Sequence, residues 1–448
     1  MKKKFSFGDL AKQKLEKFKS SKLGQKLDSG MDKLEGGLDK LGDKIDKYSE
    51  PSDPIYSKKL HEPASDTTAD DNGKWVKGGI DIYFLLIVIA LSLFGAVMAY
   101  SASSIYAQQY HDDSTYFAKK HVLYLIVGFV IIIPFIIKAR PWFWRLFGVG
   151  SYILSVILLL LVLIIGSSYG SGATRWIMIG PVSIQPSEIA KMAVILTLAL
   201  FMSKYEKQIK VHQKFGGHFR YGVLFPMLIF GFICVLVMLE RHLSGIIIIA
   251  LLGMTVMFLG GTDLKWFGLI FGIGAVAVTF ILMFSDYAWA RIDTWLNIDS
   301  VDPLGEAWQT LQGLYAIGSG GFFGVGLGNS RQKFGYVSQP QNDFIFTIVC
   351  EELGFIGALF VVVLFALLVW RGFKIASKAP DKFCALTVYG LTAKVALQAI
   401  LNIAVVTNSM PNTGISLPFF SSGGTSLILQ IFEMGIILSI SRYSYQKR

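Results

Sequence analysis

Runs of about twenty apolar residues recur along this chain, and that is the length an α-helix needs to cross the hydrocarbon of a bilayer. Ten such runs are read, over 80–103, 120–138, 143–165, 186–203, 221–239, 243–261, 266–286, 343–370, 384–408 and 424–441. The 448 residues could fill several soluble domains, but after residue 80 no polar stretch is long and varied enough to build a soluble core. The expected fold is an all-α polytopic membrane protein of about ten transmembrane helices, a single domain over 80–445. A long outward loop should separate the seventh and eighth spans.

Charge supports this reading and sets the orientation. The formal net charge is +11, yet the Lys and Arg lie mainly in the N-terminal tail and in alternate loops. That is the pattern of the positive-inside rule rather than of a nucleic-acid surface. The basic loops around Lys138 and Arg145, Lys204 to Arg220, Arg371 to Lys382, and Arg442 to Arg448 fall on one side. Both termini are therefore expected in the cytoplasm, with the residues before the eighth span facing outward. The three cysteines, Cys234, Cys350 and Cys384, are dispersed without metal or disulfide spacing. The basic, polar start has no signal-peptide pattern.

Residues 1–79 read as a cytoplasmic Lys-rich tail and linker that could not fold alone. Leu27, Met31, Leu34, Leu38, Leu41 and Ile45 nevertheless line one helical face, so an amphipathic helix on the inner leaflet or against a partner stands beside the plain reading of a solvated tail. Pro51, Pro54 and Pro63 mark the linker.

Between Asp286 and Asn342 runs a connection far longer than compact domains ordinarily use. It holds Trp308, Gln309 and Gln312, the Gly-rich run Gly318 to Gly328, then Arg331, Lys333 and Tyr336. Glycines this dense let a backbone fold back at membrane depth or approach a ligand. The run lacks the strand-to-helix setting and Lys-Ser/Thr ending of a nucleotide loop.

At its end, Asn342-Asp343-Phe344-Ile345-Phe346 places a carboxylate where a polar segment meets an apolar helix. Asp343 is open to two readings: a helix N-cap, or a functional acid near both water and lipid-held substrate. Other charges at membrane depth are few. Glu188 and Lys191 lie three apart after Pro186, on one helical face, either as a tolerated ion pair or as a polar cavity wall. Lys394 needs an interior partner, for which Glu433 is a candidate. Arg175, beside Trp176, reads as an interfacial anchor or as a clamp for an anionic head group. Glu240 and Arg241 read as a local ion pair.

Three stretches resemble the SEDS family (shape, elongation, division and sporulation). They are Gly172-Ala173-Thr174-Arg175-Trp176 with Gln185-Pro186-Ser187-Glu188-Ile189-Ala190-Lys191; Gly318 to Gly328 with Asn342-Asp343-Phe344-Ile345-Phe346 and Glu351-Glu352-Leu353-Gly354; and Gly414-Ile415-Ser416-Leu417-Pro418-Phe419-Phe420-Ser421-Ser422. The resemblance spans about 80–445, and Asn342 with Pro411-Asn412-Thr413-Gly414 places the chain nearest the FtsW and SpoVE branch. It implies ten transmembrane helices and a peptidoglycan glycosyltransferase acting on lipid II, with Asp343 as the catalytic residue. Candidate substrate-binding residues are Arg175, Glu188, Lys191, Gln309, Gln312, Arg331, Lys333, Ser421 and Ser422, with Arg175, Arg331 and Lys333 matching the leaving diphosphate. It also implies a class B penicillin-binding protein and other division proteins as partners at the septum. No cofactor is certain, and a divalent cation is left open. The chain departs from the family's usual Gln-Pro-Asp-Leu-Gly at Glu240-Arg241-His242-Leu243-Ser244-Gly245. A lipid-linked precursor transporter, a division scaffold and an elongation polymerase of the RodA kind are the competing readings.

Overall fold

The computed structural model describes residues 79–443, apart from 167–174, 180–181, 211–216, 285, 299–304, 306 and 423. The apolar stripe from Leu27 to Ile45 lies outside the described residues. Among them, nine helices are long and apolar enough to cross a membrane. These are α1 (Ile82–His111), α2 (Tyr116–Ile136), α3 (Pro141–Ile165), α4 (Pro186–Lys204), α5 (Arg220–Leu239), α6 (Leu243–Gly260), α10 (Ile345–Ala376), α11 (Lys382–Val406) and α12 (Gly424–Ser441). Helix α7 (Leu264–Phe284) takes the place of the remaining expected span. The long connection after it is no bare loop, since it carries α8 (Asp286–Leu296) and α9 (Trp308–Gly320). An antiparallel hairpin, β1 (Ile177–Ile179) with β2 (Val182–Ile184), precedes α4 and pairs Ile177 with Ile184.

The least apolar spans are the most buried. In α4 and α11, 72% of the best membrane-length window is buried, against 22% in the much more apolar α10. Polar and ionisable side chains in a membrane protein turn toward the bundle interior, while lipid-facing helices need only be greasy. Helices α4 and α11 pack on each other, with α3 and α6 against α4 and α10 against α11, so the polar helices form the centre.

Two local irregularities follow from proline. The π-helical segments Val127–Ile132 and Arg220–Leu224 lie just before Pro134 and Pro226. A proline ring clashes with the carbonyl four residues back, here Val130 and Gly222, and a wider turn relieves the clash.

A third irregularity explains the Gly-rich run. Helix α10 is broken at Gly354, whose φ of 66° and ψ of −164° are not helical. The break frees carbonyls and amides of the helix, and the run satisfies them. Val325 N–H donates to the Glu351 carbonyl and Gly326 N–H to that of Glu352, both at 3.0 Å, while Phe355 N–H donates to the Gly321 carbonyl at 3.0 Å. A Cβ on Gly324 would strike the Glu352 carbonyl. The run is thus a backbone partner for a broken helix.

At the end of the bundle that carries the basic loops, Arg145 pairs with Asp381 at 2.6 Å and Arg371 with Asp81 at 2.9 Å. Alternation of the helices brings Asp343, the β hairpin, the Glu240 turn and the 407–422 loop to the other end.

Candidate active site

Asp343 is fixed by its backbone and left open at its side chain. Ser421 Oγ donates to the Asn342 carbonyl at 2.7 Å, Ser422 Oγ to Asn342 Oδ1 at 2.8 Å, and Ser422 N–H to the Gln341 carbonyl at 3.0 Å. From α11, Asn402 Nδ2 donates to the carbonyls of both Asp343 and Ile415, each at 2.7 Å. Gly414 adopts φ 68°, and a Cβ there would sit 3.2 Å from Asp343 Oδ2. The loop before α10 is therefore stitched to the loop before α12, with the half-buried carboxylate at the seam.

The cap reading does not survive. The N-cap of α10 is Phe344, and no side chain caps that helix. A carboxylate that capped would spend its oxygens on amides and sit at a low pKa. Burial instead pushes the Asp343 carboxyl up to about 6, against the pull of Arg175 and Arg291. An acid at that value, ionised yet basic near neutral pH, suits general-base work.

Two cations face it. Arg175 donates from Nη2 to the Arg241 carbonyl at 2.8 Å, and Arg291 on α8 donates to the Asn412 carbonyl. The sequence reading singled out neither Arg291 nor Asn402. A lone Arg among the aromatics Tyr287, Trp289 and Trp295 was the available signal for the first; nothing marks the second, because an interior Asn does not show which carbonyls it reaches.

Glu188 and Lys191 pair as expected, at 2.5 Å, but not alone. Lys394 reaches Glu188 at 3.7 Å and Glu433 at 2.6 Å, so four buried charges form one chain across α4, α11 and α12. Glu433 is thus the partner Lys394 required. Glu188 also lines a small polar cavity with Gln398, Ser416, Gln430 and Ser421, directly behind the Asp343 loop. Ser421 and Ser422 belong to the site as clamps of that loop.

The remaining candidates lie elsewhere. Lys333 is corrected from a diphosphate-matching cation to a scaffold residue, because its ammonium is buried against Glu352 at 3.1 Å and the Gly328 carbonyl at 2.6 Å. Glu352 also accepts from Ser101 Oγ at 2.7 Å, and Glu351 from the Arg331 amide at 2.8 Å. These two acids hold the 324–333 segment, leaving the Arg331 side chain exposed. Gln309 donates to the Ser338 carbonyl at 3.2 Å, and Gln312 is buried in α9. Among the described residues no group of three His, Cys, Asp or Glu is placed to hold a metal ion.

The family model described as cell cycle protein, FtsW/RodA/SpoVE, matches residues 81–446. The chain belongs to this family. Stage V sporulation protein E of Bacillus subtilis is 39% identical over 365 residues, covering 81% of this chain and 97% of that one. A probable peptidoglycan glycosyltransferase FtsW of Trichlorobacter lovleyi is 38% identical over 365 residues, 81% and 93% of the two chains. Among solved structures, a chain from a peptidoglycan synthase complex that coordinates polymerization and crosslinking superposes with a TM-score of 0.65, at 25% identity over 82% of this chain and 99% of its own. The rod shape determining protein RodA of Thermus thermophilus gives 0.59 at 25% identity, over 82% and 98%. The FtsW and SpoVE resemblance read from the motifs agrees with these relatives.

In this family member Asn402 should matter more for rate than its distance from water implies. Asn402→Ala strips the donor from two carbonyls, one of them on Asp343 itself. Each buried acceptor left unpaired costs about 1–3 kcal/mol. The expected result is a lowered melting temperature together with a fall in kcat at little-changed KM, measured on purified protein.

Proposed function

We propose that this chain is a peptidoglycan glycosyltransferase that polymerises lipid II into glycan strands at the outer face of the bacterial cytoplasmic membrane. The observation that carries the reading is the Asp343 carboxylate, held by its backbone, free of any side-chain hydrogen bond among the described residues, and under the charge of Arg175 and Arg291. Asp343 takes the proton of the acceptor sugar 4-hydroxyl as that oxygen forms its bond to the donor anomeric carbon. The bond from this carbon to the diphosphate breaks, its electron pair leaves with undecaprenyl pyrophosphate, and the donor centre inverts. The two guanidinium groups match the charge that develops on the leaving group.

The basic loops support a reading with both termini in the cytoplasm and Asp343 outside. The FtsW relatives support a role in division at the septum, and the synthase-complex neighbour supports a class B penicillin-binding protein as transpeptidase partner. The polar motifs of the end loops lie mostly on one side of the bundle, which favours chemistry there over a lipid conduit. The test is polymerisation of lipid II by purified protein, with and without that partner; absence of glycan in both arms overturns the reading. Removal of residues 1–75, which lie outside the family match, should leave polymerisation near normal in detergent and alter localisation in cells.

A further inference from the structure

The turn between α5 and α6 does not hold the ion pair expected of it. Arg241, at φ 56°, is exposed to solvent, while Glu240 is only 1% exposed and neither of its carboxylate oxygens has a hydrogen-bond partner among the described residues. Arg175 reaches this turn through Nη2, yet its Nε is buried and unpartnered, as is Nδ1 of the buried His242. A carboxyl, a guanidinium N–H and an imidazole nitrogen are thus withdrawn from water in one place without bonding to one another. Each unpaired buried group is costly, and several together mark a place that a ligand completes.

The position and chemistry indicate which ligand. Arg175 acts on both Glu240 and Asp343, so the cluster adjoins the reacting atoms. A guanidinium and a neutral carboxylic acid are both hydrogen-bond donors, and two donors with one positive charge match an oxyanion. Resting on the glycosyltransferase reading, we propose that Glu240 and Arg175 form a diphosphate subsite, in which Glu240 donates as a neutral acid to a phosphoryl oxygen of the lipid-linked donor.

The surroundings keep Glu240 in that form. Burial pushes its carboxyl up to about 8, outweighing the attraction of Arg175. The other charged and titratable groups near the turn are His242, which burial and Arg175 hold down to about 3 and so neutral, and Lys191 and Glu188 on α4 behind the ring. Asp343 lies beyond Arg175. An incoming diphosphate adds negative charge and favours the protonated acid further. The sign is then fixed: binding is strong while Glu240 is protonated and weakens as pH rises through about 8.

The experiment titrates farnesyl diphosphate into the purified full-length protein, in micelles with and without phosphatidylglycerol, and measures lipid II polymerisation alongside. Wild type should bind the probe at pH 7 and lose affinity by pH 9.5. Glu240→Ala should weaken binding at pH 7 by roughly tenfold or more, the loss of a hydrogen bond to a charged group. Glu240→Gln, whose amide still donates, should stay within about threefold at pH 7 and lose the alkaline decline. Glu240→Gln, which keeps the side chain's volume, should hold the melting temperature, since the carboxyl has no partner among the described residues to lose. Wild-type affinity in the Ala variant, an alkaline decline that persists in the Gln variant, or displacement of the probe by phosphatidylglycerol overturns the subsite. If the binding pattern holds but no lipid II is polymerised, the activity reading fails and the subsite stands.

Discussion

Asp343→Asn should abolish polymerisation while leaving the fold slightly firmer. General-base catalysis contributes typically ~10²–10⁴-fold, and an amide cannot supply it. The side chain accepts no hydrogen bond among the described residues, and the anchors from Asn402 and Ser421 grip the backbone, so the loop keeps its shape around Asn. Substrate should bind as before, because the missing interaction is made as the proton moves. Wild-type activity should fall as pH drops through about 6, when the carboxylate takes up a proton. Stability runs the other way. A folded-state pKa raised from 3.8 to about 6 means that ionising the group costs the fold, so stability declines as pH rises across that interval. The Asn variant should lack the decline and melt higher at neutral pH. Glycan of full length from the Asn variant, at matched folded concentration, would falsify the assignment; a lower melting temperature would return Asp343 to a structural role.

The spans and the place of the candidate acid, where a polar loop meets an apolar helix, were legible in the sequence for different reasons. A bilayer accepts few backbone solutions, so apolar runs of the right length report helices almost directly. The outcome at Glu188, Lys191, Lys394 and Glu433 was also legible, since charges at that depth must pair. What the sequence withheld was which groups meet across the end loops. Lys333 and Arg331 look alike as loop cations, yet one is drawn inward by Glu352 and the other stays in water. Glu240 and Arg241 look like a pair, and a left-handed backbone at Arg241 points them apart. Asn402 lies some sixty positions from Asp343 and nothing local predicts its two acceptors. The Gly-rich run was open to folding back on the chain or approaching a ligand until the break at Gly354 showed which carbonyls it serves.

The largest stability effect should come from the middle of the buried charge chain. Lys394 is 1% exposed and Glu433 fully buried, and Lys394 is the group that joins Glu433 to Glu188. Glu433 Oε2 already lacks a partner, so Lys394→Met leaves a carboxylate in the bundle centre with nothing to balance it. Removing one member of a buried pair commonly costs about 3–5 kcal/mol, whereas replacing both with groups of similar size costs far less. The expected order of melting temperature in detergent is wild type, then Lys394→Met with Glu433→Gln, then Lys394→Met alone. The double variant keeps the Glu188 and Lys191 pair at 2.5 Å and restores neutrality. Glu188→Gln should fall between, because it releases two lysines, one of which retains Glu433. Glu188 alone of the four lines the cavity behind the Asp343 loop, so only its variants should change kcat in the fraction that folds. Strictly additive losses for Lys394 and Glu433 in a double-mutant cycle would show that the two do not share a charge balance. A single Lys394→Met that melts like wild type would remove the chain of charges from the fold's energetics altogether.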